Sequence, residues 1–469
     1  MSSVFSIRGR RGFVRCAAAL ALVTALFACP ETAAADWVTV GCVGAPAGSY
    51  DYTSLADAIA GLKAISHRDH HVLVSGTCTE VVVLDLMENI TIAGTSGAVL
   101  AEPSGPPTTP SVFAAIGSAG IAIESLIFRG GAGRRTLLNV YDSNVEIRNC
   151  VFENSSEGIF VHGNSNMFIR SSVIQDADWY GVRVDDNASV NIGDVENDLV
   201  PTVIRRNGMG LIARNDSVAN IHGATSISEN DIGVSGQGGT VAFCCGFHER
   251  KVTGNRQGLS FLAGSKLIVE GALRVEDNLY GGISLAGASA RFWWGEHTIR
   301  NNGPVGIAVS HGGSLHLSSN ATIENHMQAG ISLAGGAASV TGNVSIRNNG
   351  TLGSALNGGI VAMSGSVVSL STGSTGSVTG NAGPGLLVTH NSTARLRAAT
   401  VSGNQSEGVR VAALSSVLLL APNTITGNAG FDLACMPNSY GSGNPTGVGR
   451  MFCPAFDKLL SPPGGPGER

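Results

Sequence analysis

From about residue 150 onward the chain repeats one pattern, a glycine followed by apolar and variable positions in alternation. Gly181-Val182-Arg183-Val184, Gly258-Leu259-Ser260-Phe261 and Gly306-Ile307-Ala308-Val309 are typical. Alternation with a period of two marks a strand with one buried face. The glycines recur at Gly158, Gly181, Gly210, Gly233, Gly258, Gly282, Gly306, Gly330, Gly359, Gly385, Gly408 and Gly430, and most intervals are 22 to 26 residues. That length suits one turn of a three-sided coil, so the repeat predicts a solenoid whose coils stack along one axis. Nearer the N-terminus, Leu55, Ala58, Ile59 and Leu62 recur at helical spacing behind Ser54. This predicts a short amphipathic helix, N-capped by Ser54, that plugs the first coil.

Two polar columns ride on the repeat. Ten of the twelve units carry asparagine after a Thr-Ile-like segment: Asn154, Asn207, Asn230, Asn255, Asn278, Asn302, Asn349, Asn381, Asn404 and Asn428, with Ala177 and His326 as exceptions. Asparagine tolerates the left-handed backbone conformation, and stacked amides can hydrogen-bond along the axis, so an internal asparagine ladder is expected. The second column, Ser165, Ser189, Ser217, Thr240, Ser265, Ser289, Ser314, Ser339 and Ser366, reads as hydroxyls stacked at a turn.

Composition fits many short strands closed by tight turns: 64 glycines in 469 residues, 13% charged and 5% aromatic. A net charge of -5 gives no electrostatic reason to expect nucleic acid or an acidic membrane as partner. Residues 1–35 read as a signal peptide: a basic stretch from Arg8 to Arg15, an apolar run from Cys16 to Cys29, then Ala33, Ala34 and Ala35. Secretion or a periplasmic location is expected, through an ordinary signal or a twin-arginine one at Arg10-Arg11. Leu26-Phe27-Ala28-Cys29 resembles a lipoprotein box, which would instead anchor the chain at Cys29. Seven cysteines remain after cleavage. In an oxidising compartment, Cys42 with Cys78 and Cys435 with Cys453 are the preferred bridges, because each would staple an end where a repeat protein frays. The adjacent Cys244 and Cys245 lack metal-ligand spacing, which argues against zinc.

With these registered repeats the chain resembles the right-handed parallel β-helix superfamily typified by pectate lyases. The resemblance implies an all-β, single-stranded coil with three strands per turn, here over residues 72–434. Residues 36–71 would form the N-terminal cap with its helix, 435–460 the C-terminal cap, and 461–469 a disordered tail. It implies no single activity, since the superfamily holds lyases, hydrolases, epimerases and non-catalytic adhesins.

Alternation places outward pairs on the strand after each glycine, and three successive units carry chemistry there: Phe160/His162, Arg183/Asp185 and Ile212/Arg214. His162, Asp185 and Arg214 should share one column, about 4.8 Å apart along the axis. Arg183 and Arg214 would neutralise a uronate or sulfate, Asp185 would orient or ionise His162, and His162 would be the general base or acid near neutral pH. The loop Gly193 to Pro201 adds Asp194, Glu196 and Asp198, a set that could take calcium. Tyr180 to Asp186 resembles the Tyr-Gly-x-Asp-Pro-His-Asp motif of alginate epimerases at Tyr180, Gly181 and Asp186, while Arg183 and Asp185 stand where that family has Asp and His. Tyr180 is therefore a candidate substrate contact. So are Trp293 and Trp294, one of which should face outward on its strand and could stack on a sugar. The leading reading is a monomeric β-helix that binds a polysaccharide or cell-surface glycan and, if it is an enzyme, processes it as a lyase, hydrolase or epimerase. The other is a non-catalytic adhesive solenoid.

Overall fold

The computed structural model describes residues 36–64, 69–105, 109–131, 133, 135–194, 200–244, 248–262, 264–352, 357–420 and 422–457. Over these residues the chain is a right-handed all-β solenoid of about 15 turns. Strands of successive coils pair in parallel throughout. In the coil around residue 200, the first face is Ser189–Ile192, the second Val203–Arg205 and the third Met209–Arg214. The first faces make an 18-stranded sheet. The second and third merge into one of 29 strands, because Val151–His162 and Val173–Val184 run unbroken around the corner between them.

Inward positions stack like on like: Val182, Leu211, Val234 and Leu259 follow one another along the third face, each with no exposed surface. The repeated glycine is required by close approach. A Cβ on Gly258 would lie 2.5 Å from the Gly282 carbonyl oxygen and 3.0 Å from the Asn278 side-chain nitrogen. The glycine and asparagine columns thus have one cause, an amide tucked under the strand start of the preceding coil.

The amide ladder runs from Asn207 to Asn428, each Nδ2 donating to the next Oδ1 at 2.8 to 3.0 Å where asparagines adjoin. Each Oδ1 also accepts the backbone N–H of the residue above, as Asn302 does from Asn278 at 3.2 Å. The last rung is a carboxylate: Asn428 Nδ2 donates to Asp432 Oδ1 at 2.8 Å. Two expectations need correction. Asn154 lies outside the ladder; it is exposed with φ 59°, and Ser155, in register with Ala177, holds the ladder position. The left-handed residue is the one before each ladder position, such as Glu229 (φ 57°) or Asn301 (φ 52°), because the corner bends there and leaves the asparagine free to point inward. The hydroxyl column likewise mixes three registers, Ser339 lying two positions beyond Ser314, in line with His316. Ser118, Ser143 and Ser165 form one buried stack linked through backbone N–H donors, whereas Ser189, Thr240 and Ser289 sit one position later, in line with Asn166.

His326 fits the ladder as a neutral ring. Nε2 is 3.4 Å from Asn302 Nδ2 and Nδ1 is 2.8 Å from the Asn349 oxygen, so Nδ1 carries the proton and Nε2 accepts. Burial pushes its pKa down from 6.5 to about 4, although Asn349 opposes the shift. His297, 2% exposed, is lowered to about 4 by burial and then by Arg250. The unfolded chain therefore binds these protons first. Stability is thus greatest above pH 6.5 and falls as pH drops toward 4, by about 3 kcal/mol for each histidine. Chemical denaturation at pH 7 and pH 4.5 should show this loss, and His326→Asn should remove part of it. An unchanged pH slope in that variant would refute the assignment.

The ends are closed. Helix Leu55–Lys63 buries Leu55, Ala58, Ile59 and Leu62, and Ser54 accepts from the Asp57 N–H. The Glu80 carboxylate also sits at the helix start, accepting from the N–H groups of Leu55 (2.7 Å) and Ala56 (3.2 Å). Disulfides join Cys42 to Cys78 and Cys435 to Cys453, the pairs preferred from sequence. Among the described residues no helix is long and apolar enough to cross a membrane. The signal segment, Cys29 and the C-terminal tail lie outside the described residues.

Candidate functional site

The third face carries an outward patch over the coils of residues 136–141, 157–162, 180–184 and 209–214. Register pairs Tyr141 with His162, Phe160 with Arg183, and Arg214 with Gln237; His162, Asp185 and Arg214 occupy successive rungs, as expected. At the centre, the Arg183 guanidinium donates to Asp185 Oδ2 from Nε (2.9 Å) and Nη2 (2.7 Å), and from Nη1 to Glu157 Oε1 (3.2 Å). It also lies over the Phe160 ring at 4.3 Å and the Tyr180 ring at 5.6 Å. Burial disfavours its charge, but Asp185 and Glu157 more than offset this and raise its pKa. Arg183 is thus held between two carboxylates and has little charge left to offer a ligand.

The other members are less saturated. Asp185 is nearly buried, its side chain 4% exposed, and its Oδ1 has no hydrogen-bond partner among the described residues. Arg214 Nε is 3.9 Å from that oxygen, too far for a hydrogen bond, and the Arg214 side chain is 32% exposed. His162 takes its orientation from elsewhere. Its Nε2 is 2.9 Å from Asn139 Oδ1, and its ring is stacked on Phe160 at 4.2 Å with Tyr141 at 4.8 Å. An amide oxygen only accepts, so Nε2 bears the proton and Nδ1 is the basic nitrogen. Burial lowers the His162 pKa and so favours the neutral ring, partly countered by Asp186. Asp185 therefore does not orient His162: its carboxylate belongs to Arg183.

The model described as a right handed beta helix region matches residues 86–200 and 281–444. The chain belongs to the right-handed β-helix family. No curated protein matches it. Among solved structures, the A-module of a mannuronan C-5 epimerase from Azotobacter vinelandii is 15% identical over 85% of this chain and 99% of that one, with a TM-score of 0.31. The catalytic domain of a GH87 α-1,3-glucanase is 14% identical over 87% and 66%, with a TM-score of 0.32. A surface adhesin of Streptococcus pneumoniae is 9% identical over 82% and 88%, with a TM-score of 0.23. These likenesses carry no argument about activity.

Other candidates fall elsewhere on the β-helix. Asp186, the epimerase-motif match, sits in the exposed turn after Asp185 and accepts from Asn215 Nδ2 at 3.0 Å. Asp194 follows Ser189–Ile192, so a whole first-face strand separates the acidic loop from Asp185. Glu196 and Asp198, on which the calcium reading rests, lie outside the described residues, and Asp194 joins no group of three ligand side chains among the described ones. Trp293 and Trp294 end the first-face strand Ser289–Trp294, away from the third-face patch. Both are about half exposed, at 45% and 48%, because a bulge between Val269 and Glu270 breaks the alternation expected to turn one inward. Arg291 covers Trp293 at 3.7 Å.

Sequence reasoning missed Glu157, Asn139 and Tyr141, which touch the patch from earlier coils. It also missed Trp179, 62% exposed, beside a groove of about 380 Å³ lined by Asp178, Trp179, Tyr180, Gly208, Met209, Asp231 and Ile232. The signal was available, since Thr136, Glu157, Tyr180 and Met209 are counterparts in successive coils.

Proposed function

We propose that the protein is an exported β-helix that binds an acidic polysaccharide across this patch. The reading rests on one observation above all: among the described residues a buried carboxylate oxygen, Asp185 Oδ1, has no hydrogen-bond donor, and the neighbouring cation Arg214 stands 3.9 Å from it. Buried polar atoms are ordinarily hydrogen-bonded, so an exception calls for an explanation such as strain, a catalytic role or a bound water or ion. A uronate or sulfate group drawing the part-exposed Arg214 outward would uncover Asp185 Oδ1 for a sugar hydroxyl to donate to. Tyr180, with Trp179 and the groove beyond it, would supply flat apolar surface for a neighbouring sugar ring. His162, neutral and with Nδ1 as its basic nitrogen, is the group suited to move a proton if the glycan is processed. Export is supported by the N-terminal segment and by two disulfides.

The test is a glycan array on the mature protein, with and without calcium, followed by product analysis on each hit. Binding confined to acidic glycans is expected. Recognition of no glycan, with adhesion to cells or protein ligands, would establish the adhesive solenoid instead.

A further inference from the structure

We infer that Cys244 is a nucleophilic thiol, paired with His222 as its base, that undergoes exchange with small disulfides. The two residues occupy consecutive rungs at the corner between the first and second faces. His222 follows Val218–Ile221, Cys244 follows Thr240–Phe243, and those strands pair with Ile221 opposite Phe243. Backbone bonds fix both positions: His222 N–H donates to the Ile192 oxygen at 2.7 Å and Cys244 N–H to the Ile221 oxygen at 3.0 Å.

The side chains meet as an acid–base pair. Cys244 Sγ is 3.7 Å from His222 Nδ1, and His222 Nε2 is 3.3 Å from Asn191 Oδ1. Asn191 is fixed in a surface amide chain, accepting from Asn220 Nδ2 at 3.1 Å and donating to Asn166 Oδ1 at 3.5 Å, so the oxygen faces His222. The imidazole therefore carries its proton on Nε2 and turns the Nδ1 lone pair toward the thiol. Nucleophile, base and orienting group in hydrogen-bond sequence are what thiol activation requires. A buried cation fixes the backbone at Cys244. Arg250 is fully buried and donates from Nη2 to the Cys244 carbonyl at 2.7 Å. Burial lowers the His222 pKa; a hydrogen bond with the Cys244 backbone opposes this, Arg250 and Arg170 reinforce it, and the net shift favours the neutral ring that can accept a proton.

Cys150 is an internal contrast. It is 1% exposed against 9% for Cys244, it hydrogen-bonds to the Ile123 and Arg148 carbonyls, and burial raises its pKa to about 11. In the exchange, His222 Nδ1 takes the Cys244 proton and the thiolate attacks one sulfur of the disulfide. The reagent's S–S bond breaks as a new S–S bond forms, and the leaving thiolate recovers the proton from the imidazolium. There is no net redox change.

The test uses the full chain in a Cys245→Ser background, with 2,2′-dithiodipyridine as probe, thione release as rate and peptide mass mapping as location. Cys244 should react at least about tenfold faster than Cys150 at pH 7, with a rate that levels off below the ordinary thiol pKa of about 8.5. His222→Gln and Asn191→Ala should slow it and restore an ordinary thiol profile. Reaction no faster than that of Cys150 would overturn the inference. So would a wild-type rate still rising through about pH 8.5, indifference to both substitutions, or a Cys244–Cys245 disulfide in the isolated wild-type protein.

Discussion

Arg214→Ala is expected to weaken binding of the acidic glycan by roughly 30- to 700-fold, corresponding to about 2 to 4 kcal/mol for a lost charge-assisted contact in a partly desolvated site. The fold should not notice, because the Arg214 guanidinium makes no hydrogen bond within the described structure and its nearest carboxylate oxygen is 3.9 Å away. Asp185→Asn should cost a similar factor in binding and also some stability, about 1 to 2 kcal/mol, because Arg183 loses its two-point partner and keeps Glu157. The pair separates ligand recognition from folding: one substitution acts on binding alone and the other on both. Calorimetric titration with an array-identified glycan, beside thermal unfolding, measures each. If Arg214→Ala binds as the wild type does, the column is only a structural ladder.

How much of this could be read from the residues depends on what fixes each feature. The coil was legible because backbone contact fixes it. Gly258 and Asn278 must be what they are, since one lacks room for a Cβ and the other fills the space beneath it. Repetition then makes a single constraint visible many times. Asn154 was misread because asparagine also suits the left-handed corner position, one residue from the ladder, and composition cannot separate the two uses. At the candidate site, counting placed His162, Asp185 and Arg214 on adjacent rungs, because alternation fixes faces. It could not choose rotamers, so the turn of Asp185 toward Arg183 and of His162 toward Asn139 came only from the side chains. Trp293 and Trp294 mark the same limit: a bulge suspends alternation, and nothing in Phe292-Trp293-Trp294-Gly295 announces one beforehand.

The ladder gives the other large expected effect. Asn278 Oδ1 accepts from both the backbone N–H and the Nδ2 of Asn255, each at 3.0 Å, and Asn278 Nδ2 donates to Asn302 Oδ1 at 2.8 Å and to the Val252 carbonyl at 3.2 Å. The side chain is 1% exposed, so water has little access to replace these bonds. Asn278→Leu, close in volume but without polar atoms, would leave the buried backbone N–H of Asn255 unpartnered, at about 1 to 3 kcal/mol, and would remove one bond each from Asn255 Nδ2, Asn302 Oδ1 and the Val252 carbonyl. A loss of about 3 to 5 kcal/mol is expected. Because each coil contacts mainly its neighbours, the weakness should stay local, opening the chain near residue 278 before the coils of residues 136–214. Hydrogen exchange should show early opening on either side of residue 278 with protection retained around Arg183. Glycan binding by the variant should persist under conditions where those central coils already exchange. His326→Asn is the reciprocal substitution: it restores an amide where the 3.4 Å contact to Asn302 is the longest in the ladder, and at neutral pH it should leave stability equal or higher. An Asn278→Leu protein with an unchanged denaturation midpoint and unchanged exchange near residue 278 would show that stacked apolar residues hold the coils without the amides.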